Sequence, residues 1–405
     1  MIEKRNILIL SCSTGGGHNA AGYAIQEQFE AAGYPVTMMN YMDLAGKHVS
    51  SLVDNSYVNL VKKSPKAFGV LYKAGMLVSS SKHHSPVYYA NAAVAKYLKE
   101  YLEEHPADII FATHLYAAET LTYLKKQMKL PLTVAIATDY TCIPFWEETD
   151  CDAYVIPHKD LAAEYVARGL PKEKLYPLGI PVSLKFRRRW QDSETRSELE
   201  LPPHGNLWLL MGGSMGFGHL QELAEAIEGQ LREEESLVVI CGSNQKMKAQ
   251  LEAHFAGKEQ IRIVGKTDQV AAYMAISAVV YTKPGGLTST EAAVSRCPLV
   301  HTEPIPGCES ENLRYFTERG MSVAADTPKE QAVLGRKLID DSVMREKMNF
   351  AQQEYTDACT SKRIFEFFGQ IPGSEPKCGE EAGSALETQE AAADEEEESE
   401  ESLQA

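Results

Sequence analysis

Residues 7–25 read Ile-Leu-Ile-Leu-Ser-Cys-Ser-Thr-Gly-Gly-Gly-His-Asn-Ala-Ala-Gly-Tyr-Ala-Ile, and this stretch restricts the fold more than any other. A short apolar run of this kind is a buried parallel strand, three glycines let the backbone turn sharply, and helix formers follow from Ala20 to Phe29. Glycines at a strand-to-helix turn allow a ligand to approach the main chain, and the helix N-terminus offers unpaired N–H groups to an anion. The turn is neither a dinucleotide fingerprint, since G-x-G-x-x-G is absent, nor a P-loop, since no Gly-Lys-Ser/Thr follows. His18 stands on its last step, a titratable side chain placed for proton transfer beside a bound substrate.

Strand-like runs alternate with helical stretches throughout, the pattern of α/β domains with parallel sheets. In the first half we read strands at 6–11, 35–39, 108–112, 132–137 and 153–156. Leu178-Gly-Ile-Pro-Val182 and the basic stretch Lys185–Trp190 change the character of the chain, and Pro181 marks a linker. The scheme then restarts with a strand at 207–211, a glycine turn at 212–218 and a helix at 219–231. Further strands follow at 237–241, 261–264, 278–282 and 298–301. These boundaries predict an N-terminal domain over 1–182, a C-terminal domain over 183–345, a closing helix over 346–371 and a tail over 372–405.

From Glu375 onward, twelve acidic residues against Lys377 carry −11 of the formal charge of −16, so the body is near −5. A tail rich in Glu, Ala and Ser without aromatics buries too little surface to fold and is expected to be disordered. The acidity argues against nucleic acid as a partner. No apolar run reaches the roughly 18–20 residues of a membrane span. The first strand begins too early to leave room for a signal peptide. Eight scattered cysteines without a C-x-x-C pair point to reduced thiols in the cytoplasm and away from a zinc site. Segment 46–104 interleaves Lys62, Lys63, Lys66, Lys73, Lys82, His83 and His84 with apolar residues. It is either an amphipathic face for anionic lipid or a pair of surface helices with solvated lysines.

Three more constellations carry chemistry. Tyr281-Thr-Lys-Pro-Gly-Gly-Leu-Thr-Ser-Thr-Glu291 runs from a strand into a helix expected to start near Leu287 with Thr288 as its cap, a second anion site. Glu291, one turn in, either accepts hydrogen bonds from the vicinal hydroxyls of a ribose or simply complements the helix dipole. Pro304-Ile-Pro-Gly-Cys-Glu-Ser-Glu-Asn312 places Glu309, Glu311 and Asn312 where they hold sugar hydroxyls or cap a helix. His114 and Asp139 each follow a strand; ligands of open α/β sheets bind beyond the carboxyl ends of strands, so both are expected to share a crevice with His18, the alternative for each being a structural role.

Together these segments resemble the family of monogalactosyldiacylglycerol synthases and processive diacylglycerol glucosyltransferases, which is related to the peptidoglycan N-acetylglucosaminyltransferase MurG. The resemblance rests on Ser13-Thr-Gly-Gly-Gly-His18, Thr138-Asp-Tyr140, Gly179-Ile-Pro-Val182, Met211-Gly-Gly-Ser214, Cys241-Gly-Ser-Asn244, Lys283-Pro-Gly-Gly-Leu-Thr288 with Glu291, and Pro304-Ile-Pro-Gly307 with Asn312. Where the family often shows Pro-Gly-Gln-Glu-Glu-Gly-Asn, this chain has Cys308 for the Gln and Ser310 for the second Glu; Asn19 and Ala21 replace the usual Arg and Ser.

The resemblance implies a GT-B fold, two Rossmann-like domains facing across a cleft. It implies that the C-terminal domain holds a UDP-sugar, with Glu291 at the ribose and Gly285, Gly286, Leu287, Thr288 and Ser289 at the diphosphate end. Gly212, Gly213 and Ser214 form a second glycine loop, Gly265 and Lys266 face uracil, and Asn244, Glu309 and Asn312 complete the donor side. The N-terminal domain receives the acceptor near Gly16, Gly17, His114 and Tyr140, with His18 as the base and Asp139 assisting or replacing it. Neither a metal nor a cofactor is implied. Helix dipoles and hydroxyls offset the leaving charge.

The activity implied is inverting transfer of glucose or galactose from a UDP-sugar to diacylglycerol or a glycosylated diacylglycerol, by a cytoplasmic protein peripheral to the anionic inner face of the cell membrane. The alternatives are MurG-like N-acetylglucosaminyl transfer to a polyprenyl-linked acceptor, a UDP-N-acetylglucosamine 2-epimerase, or a nucleotide-sugar-binding protein without turnover.

Overall fold

The computed structural model describes residues 5–12, 16–46, 84–188, 190–213 and 219–369, and six positions between 69 and 79. The N-terminal sheet comprises β1 (Ile7–Ser11), β2 (Val36–Asn40), β3 (Ile109–Ala112), β4 (Leu132–Ile136), β5 (Ala153–Val155) and β6 (Leu175–Tyr176). Its spatial order is β2-β1-β3-β4-β5-β6, and every pairing is parallel. The C-terminal sheet comprises β7 (Leu207–Met211), β8 (Ser236–Ile240), β9 (Ile261–Val264), β10 (Ser277–Thr282), β11 (Leu299–His301) and β12 (Val323–Ala324). Its order is β12-β11-β10-β7-β8-β9, again all parallel. Central strands such as β1 and β7 are buried at every residue, because helices cover both faces of a parallel sheet.

These orders determine where ligands can sit. In the first sheet the winding reverses between β1 and β3, and in the second between β7 and β10. Loops diverge at such a switch point and leave a crevice beyond the carboxyl ends of the strands. His18 and His114 follow β1 and β3; Gly212 and Lys283 follow β7 and β10.

Local details differ from the sequence reading. The first helix starts at Gly16 and runs to Ala31, so His18 lies in its first turn instead of on the preceding loop. Gly17 lies beside Leu287: an added Cβ would be 3.5 Å from the Leu287 Cβ, an ordinary contact. The two-residue strands β6 and β12 were not anticipated.

The closing helix is two pieces. Ser342–Tyr355 packs on the C-terminal domain, where Gln352 Nε2 donates to the carbonyls of Cys297 and Met321. Thr356 is extended, and Asp357 accepts from the Cys359 amide, which ends one helix and starts Thr360–Ile364. That short helix and the following turn, Phe365–Gly369, return to the N-terminal domain. There Ile364 and Phe368 join Phe29, Phe111 and Tyr176 in its core. The Thr360 hydroxyl donates to the Leu178 carbonyl at 2.9 Å, tying this return to the linker.

The expected tail over 372–405 lies outside the described residues, as do the lysines of segment 62–82. Helices Pro86–Ala92 and Ala95–Glu104 pack on Leu115–Lys125. No helix among the described residues is long and apolar enough to cross a membrane.

Because Phe368 is fully buried in the N-terminal core, Phe368→Ala is expected to cost about 3–5 kcal/mol through lost burial and a residual cavity. Urea unfolding followed by circular dichroism, with a lowered midpoint, checks this.

Candidate active site

On the N-terminal side, the first turn of helix Gly16–Ala31 presents the half-buried His18 to the end of β3. Its Nδ1 lies 3.0 Å from the Thr113 carbonyl, an acceptor only, so Nδ1 carries the proton and donates. The Thr138 hydroxyl lies at 3.0 Å from the same nitrogen. Nε2 is left with its lone pair, the form a base requires. Burial lowers the His18 pKa, outweighing the opposing pulls of Asp139 and the Thr113 carbonyl, so the ring is neutral near neutral pH.

His114 meets His18 edge-on at 4.4 Å between ring centres. It caps helix Leu115–Lys125, its Nδ1 accepting from the Tyr116 amide at 3.1 Å. Burial and the neighbouring His18 hold it well below 6.5, which keeps it a cap and an apolar wall. Gly16 is exposed and Gly17 half-buried beside them.

On the C-terminal side, helix Gly286–Val294 begins one residue earlier than expected. Gly285 is its N-cap, with no side-chain cap bond, and Thr288 is its third residue. The amides of this first turn therefore have no side chain to satisfy them, which suits an anion. Lys283, which the sequence reading did not place at the site, stands between the two glycine turns. A Cβ at Gly213 would meet its Cε at 3.1 Å, and one at Gly285 would meet its Nζ at 3.6 Å. Its ammonium pairs with Glu309, whose other oxygen accepts from the Ile305 amide at 2.9 Å. A lysine between a strand end and Pro-Gly-Gly was the available signal. Gly212 follows β7 beside Gly213; Ser214 lies outside the described residues, as do Ser13–Gly15.

Glu291 is half-buried, and among the described residues its carboxylate has no hydrogen-bond partner; burial pushes its pKa up to about 8. A carboxyl left unpaired in an enclosed place fits a ligand that supplies hydroxyls. Ser289 is different. It is fully buried and its hydroxyl pairs with His301 Nε2 at 2.9 Å, so it belongs to the packing between the helix and β11. Asn244 caps helix Gln245–His254 through the Met247 amide at 3.0 Å. Gly265 and Lys266 follow the edge strand β9, Gly265 against the Lys248 stem.

The two sides touch. The carbonyl of Thr138 would lie 2.0 Å from a Cβ at position 286, a contact only glycine permits. Leu287 packs near Gly17. Tyr140, expected on the acceptor side, instead inserts into the C-terminal domain: its hydroxyl is 2.8 Å from that of Thr290, and its ring lies against Tyr315 and Phe316. An apolar ring is better buried between the domains than left facing a wet cleft. Asn312, wholly buried, bonds Asp139, Tyr140 and Pro284.

Residues 18–182 match the family model of monogalactosyldiacylglycerol (MGDG) synthase, and residues 208–316 that of the glycosyltransferase family 28 C-terminal domain. Monogalactosyldiacylglycerol synthase 2, chloroplastic, of Arabidopsis thaliana is 32% identical over 346 residues, covering 81% of this chain and 72% of that protein. A processive diacylglycerol beta-glucosyltransferase of Staphylococcus saprophyticus is 29% identical over 332 residues, 80% of this chain and 82% of that one. The crystal structure of Acinetobacter baumannii MurG superposes with a TM-score of 0.58 at 14% identity, over 91% of this chain and 100% of that one. Two facing Rossmann-like domains and these relatives define a glycosyltransferase of the GT-B fold. Within that class, the chain belongs to the monogalactosyldiacylglycerol synthase family.

Glu291 makes a prediction without any substrate. The folded protein holds a proton there that the unfolded chain releases above about 4.5, so stability falls as pH rises from about 5 to 8. Glu291→Gln removes that dependence. Its stability relative to wild type is expected to climb across this window, by at most about 1.4 kcal/mol per pH unit, seen as a widening melting-temperature difference in a scanning fluorimetry series.

Proposed function

We propose that the protein transfers a hexose, glucose or galactose, from a UDP-sugar to diacylglycerol or a glycosylated diacylglycerol at an anionic membrane surface, with inversion at the anomeric carbon. The observation that carries this reading is the pairing of two switch points. A neutral histidine with a free Nε2 lies at one, and a lysine, an uncapped helix N-terminus and an unpaired carboxyl lie at the other. The names of the relatives support the lipid acceptor, and the sugar is one of the two those names contain.

In this mechanism Nε2 of His18 removes the proton from the acceptor hydroxyl as that oxygen attacks the anomeric carbon from the face opposite UDP. The bond from that carbon to the diphosphate oxygen breaks in the same displacement, so configuration inverts. Charge arriving on the diphosphate meets the amides at Gly286 and Leu287 and the Lys283 ammonium. Glu291, as an anion, accepts the ribose hydroxyls. Asp139 is tied to Asn312 by a hydrogen bond, which leaves His18 as the better placed base.

Incubation with a panel of UDP-sugars and diacylglycerol vesicles containing anionic lipid, followed by mass spectrometry, is expected to yield a hexosyl lipid. Interconversion of free UDP-sugars with no lipid product would defeat the reading. His18→Ala is expected to reduce turnover by about 10²–10⁴ while UDP still binds. Full activity in that variant would transfer the base role to Asp139. For Lys283→Ala, calorimetry is expected to show UDP binding weakened by about 10–100-fold, the worth of a charged hydrogen bond, with uridine binding unchanged.

A further inference from the structure

Asn312 has the residue type of a sugar contact, but its hydrogen-bonding groups are already committed. Its carboxamide oxygen accepts from the Tyr140 amide at 2.7 Å. Its two N–H groups donate to Asp139 Oδ1 at 2.8 Å and to the Pro284 carbonyl at 3.0 Å. An asparagine has two N–H donors, so no donor remains for a sugar hydroxyl. The side chain is wholly buried. One of the three bonds anchors it to its own domain at the turn that carries the diphosphate site. The other two cross to the N-terminal domain.

Both crossing bonds end on one turn, Thr138–Tyr140, which follows β4. That turn also meets the C-terminal domain through the Thr138 carbonyl over Gly286 and the Tyr140 hydroxyl on Thr290. At its other end, the Thr138 hydroxyl sits 3.0 Å from His18 Nδ1. The hydroxyl that meets the base is thus one residue along the chain from the carboxylate that Asn312 holds.

We propose that Asn312 is a positioning residue: by binding Asp139 and the Tyr140 amide across the cleft, it seats the 138–140 turn and so aligns the His18 ring only when the two domains are closed. This rests on the transferase reading. It gives closure a chemical consequence, because a base misplaced by about 1 Å costs on the order of 10²-fold in rate. It also gives the carboxylate a role that is not proton transfer. Asp139 is a handle by which the C-terminal domain grips the turn.

The electrostatic surroundings make the proposal testable by pH. Asp139 is faced by His18 from the first helix, by the Cys308 thiol beside Asn312, and by Tyr72 and Tyr165. His18 itself is faced by Asp139 and His114. Burial is the largest influence on His18 and lowers its pKa, while Asp139 opposes it more weakly. Loosening the turn admits water, and the loss of burial outweighs the screening of Asp139. The His18 pKa then rises toward 6.5.

Asn312→Ala is expected to lower kcat by about 10–100-fold. Its dissociation constants for UDP and for the active UDP-sugar stay within about threefold of wild type. Its His18 titration, followed by NMR of the ring Cε1–H, moves toward 6.5. Asn312→Asp keeps the oxygen that accepts from Tyr140 but sets a second carboxylate 2.8 Å from Asp139. The pair cannot ionise twice at that distance, so the variant gains a fall in kcat/KM on the alkaline side that wild type lacks, and activity recovers at lower pH where one proton bridges the pair. If Asn312→Ala weakens UDP-sugar binding relative to UDP with kcat unchanged, Asn312 is a sugar contact and the proposal falls. It falls equally if the His18 titration does not move in Asn312→Ala, or if Asn312→Asp keeps the wild-type pH profile. The NMR titration needs no turnover. An inactive wild type would therefore count against the transferase reading alone.

Discussion

The cleft depends on a contact made possible by a side chain that is absent. The Thr138 carbonyl occupies the space a Cβ would need at position 286, 2.0 Å from where that atom would be. Gly286 is also the first residue of a helix whose N-cap makes no side-chain bond. Two neighbouring glycines therefore serve two purposes: Gly286 lets the domains approach, and Gly285, as the N-cap, leaves the helix start bare. Around it, Tyr140 and Asn312 convert the approach into a specific fit, one by aromatic packing and the other by three hydrogen bonds. The Tyr140 and Asn312 hydrogen bonds use short or rigid buried side chains, so little conformational entropy opposes them.

Burial sets the electrostatics on both sides. It keeps His18 neutral, and it raises Glu291 to about 8. The same effect raises Glu119 to about 8 in the N-terminal core, where Asn91 hydrogen-bonds it. On the C-terminal side, Lys283 is paired with Glu309.

The layered fold was largely legible in the chain. Ten strands lie within a residue or so of their expected limits, because buried parallel strands are continuous apolar runs bounded by turn residues. The two that were missed, β6 and β12, have two residues each, too few for any periodicity. The helix at Gly16 and the break at Thr356 were missed for another reason. Three glycines in a row read as a turn although two of them open a helix, and a helix that reads as continuous is interrupted so that Phe368 can reach the other domain.

What the sequence determined by itself is what local rules govern: strand–turn–helix units, two such domains, and chemistry-bearing residues such as His18 and Glu291 in the helices that follow the glycine turns. What only the tertiary structure decided is how each polar side chain is used. Ser289 turned to His301, Tyr140 to Thr290, Asn312 to Asp139 and Lys283 to Glu309. The Tyr140 and Asn312 pairings join residues 150 and 173 positions apart. A buried polar group must find a partner wherever the fold brings one, and that requirement has no local signature in the chain.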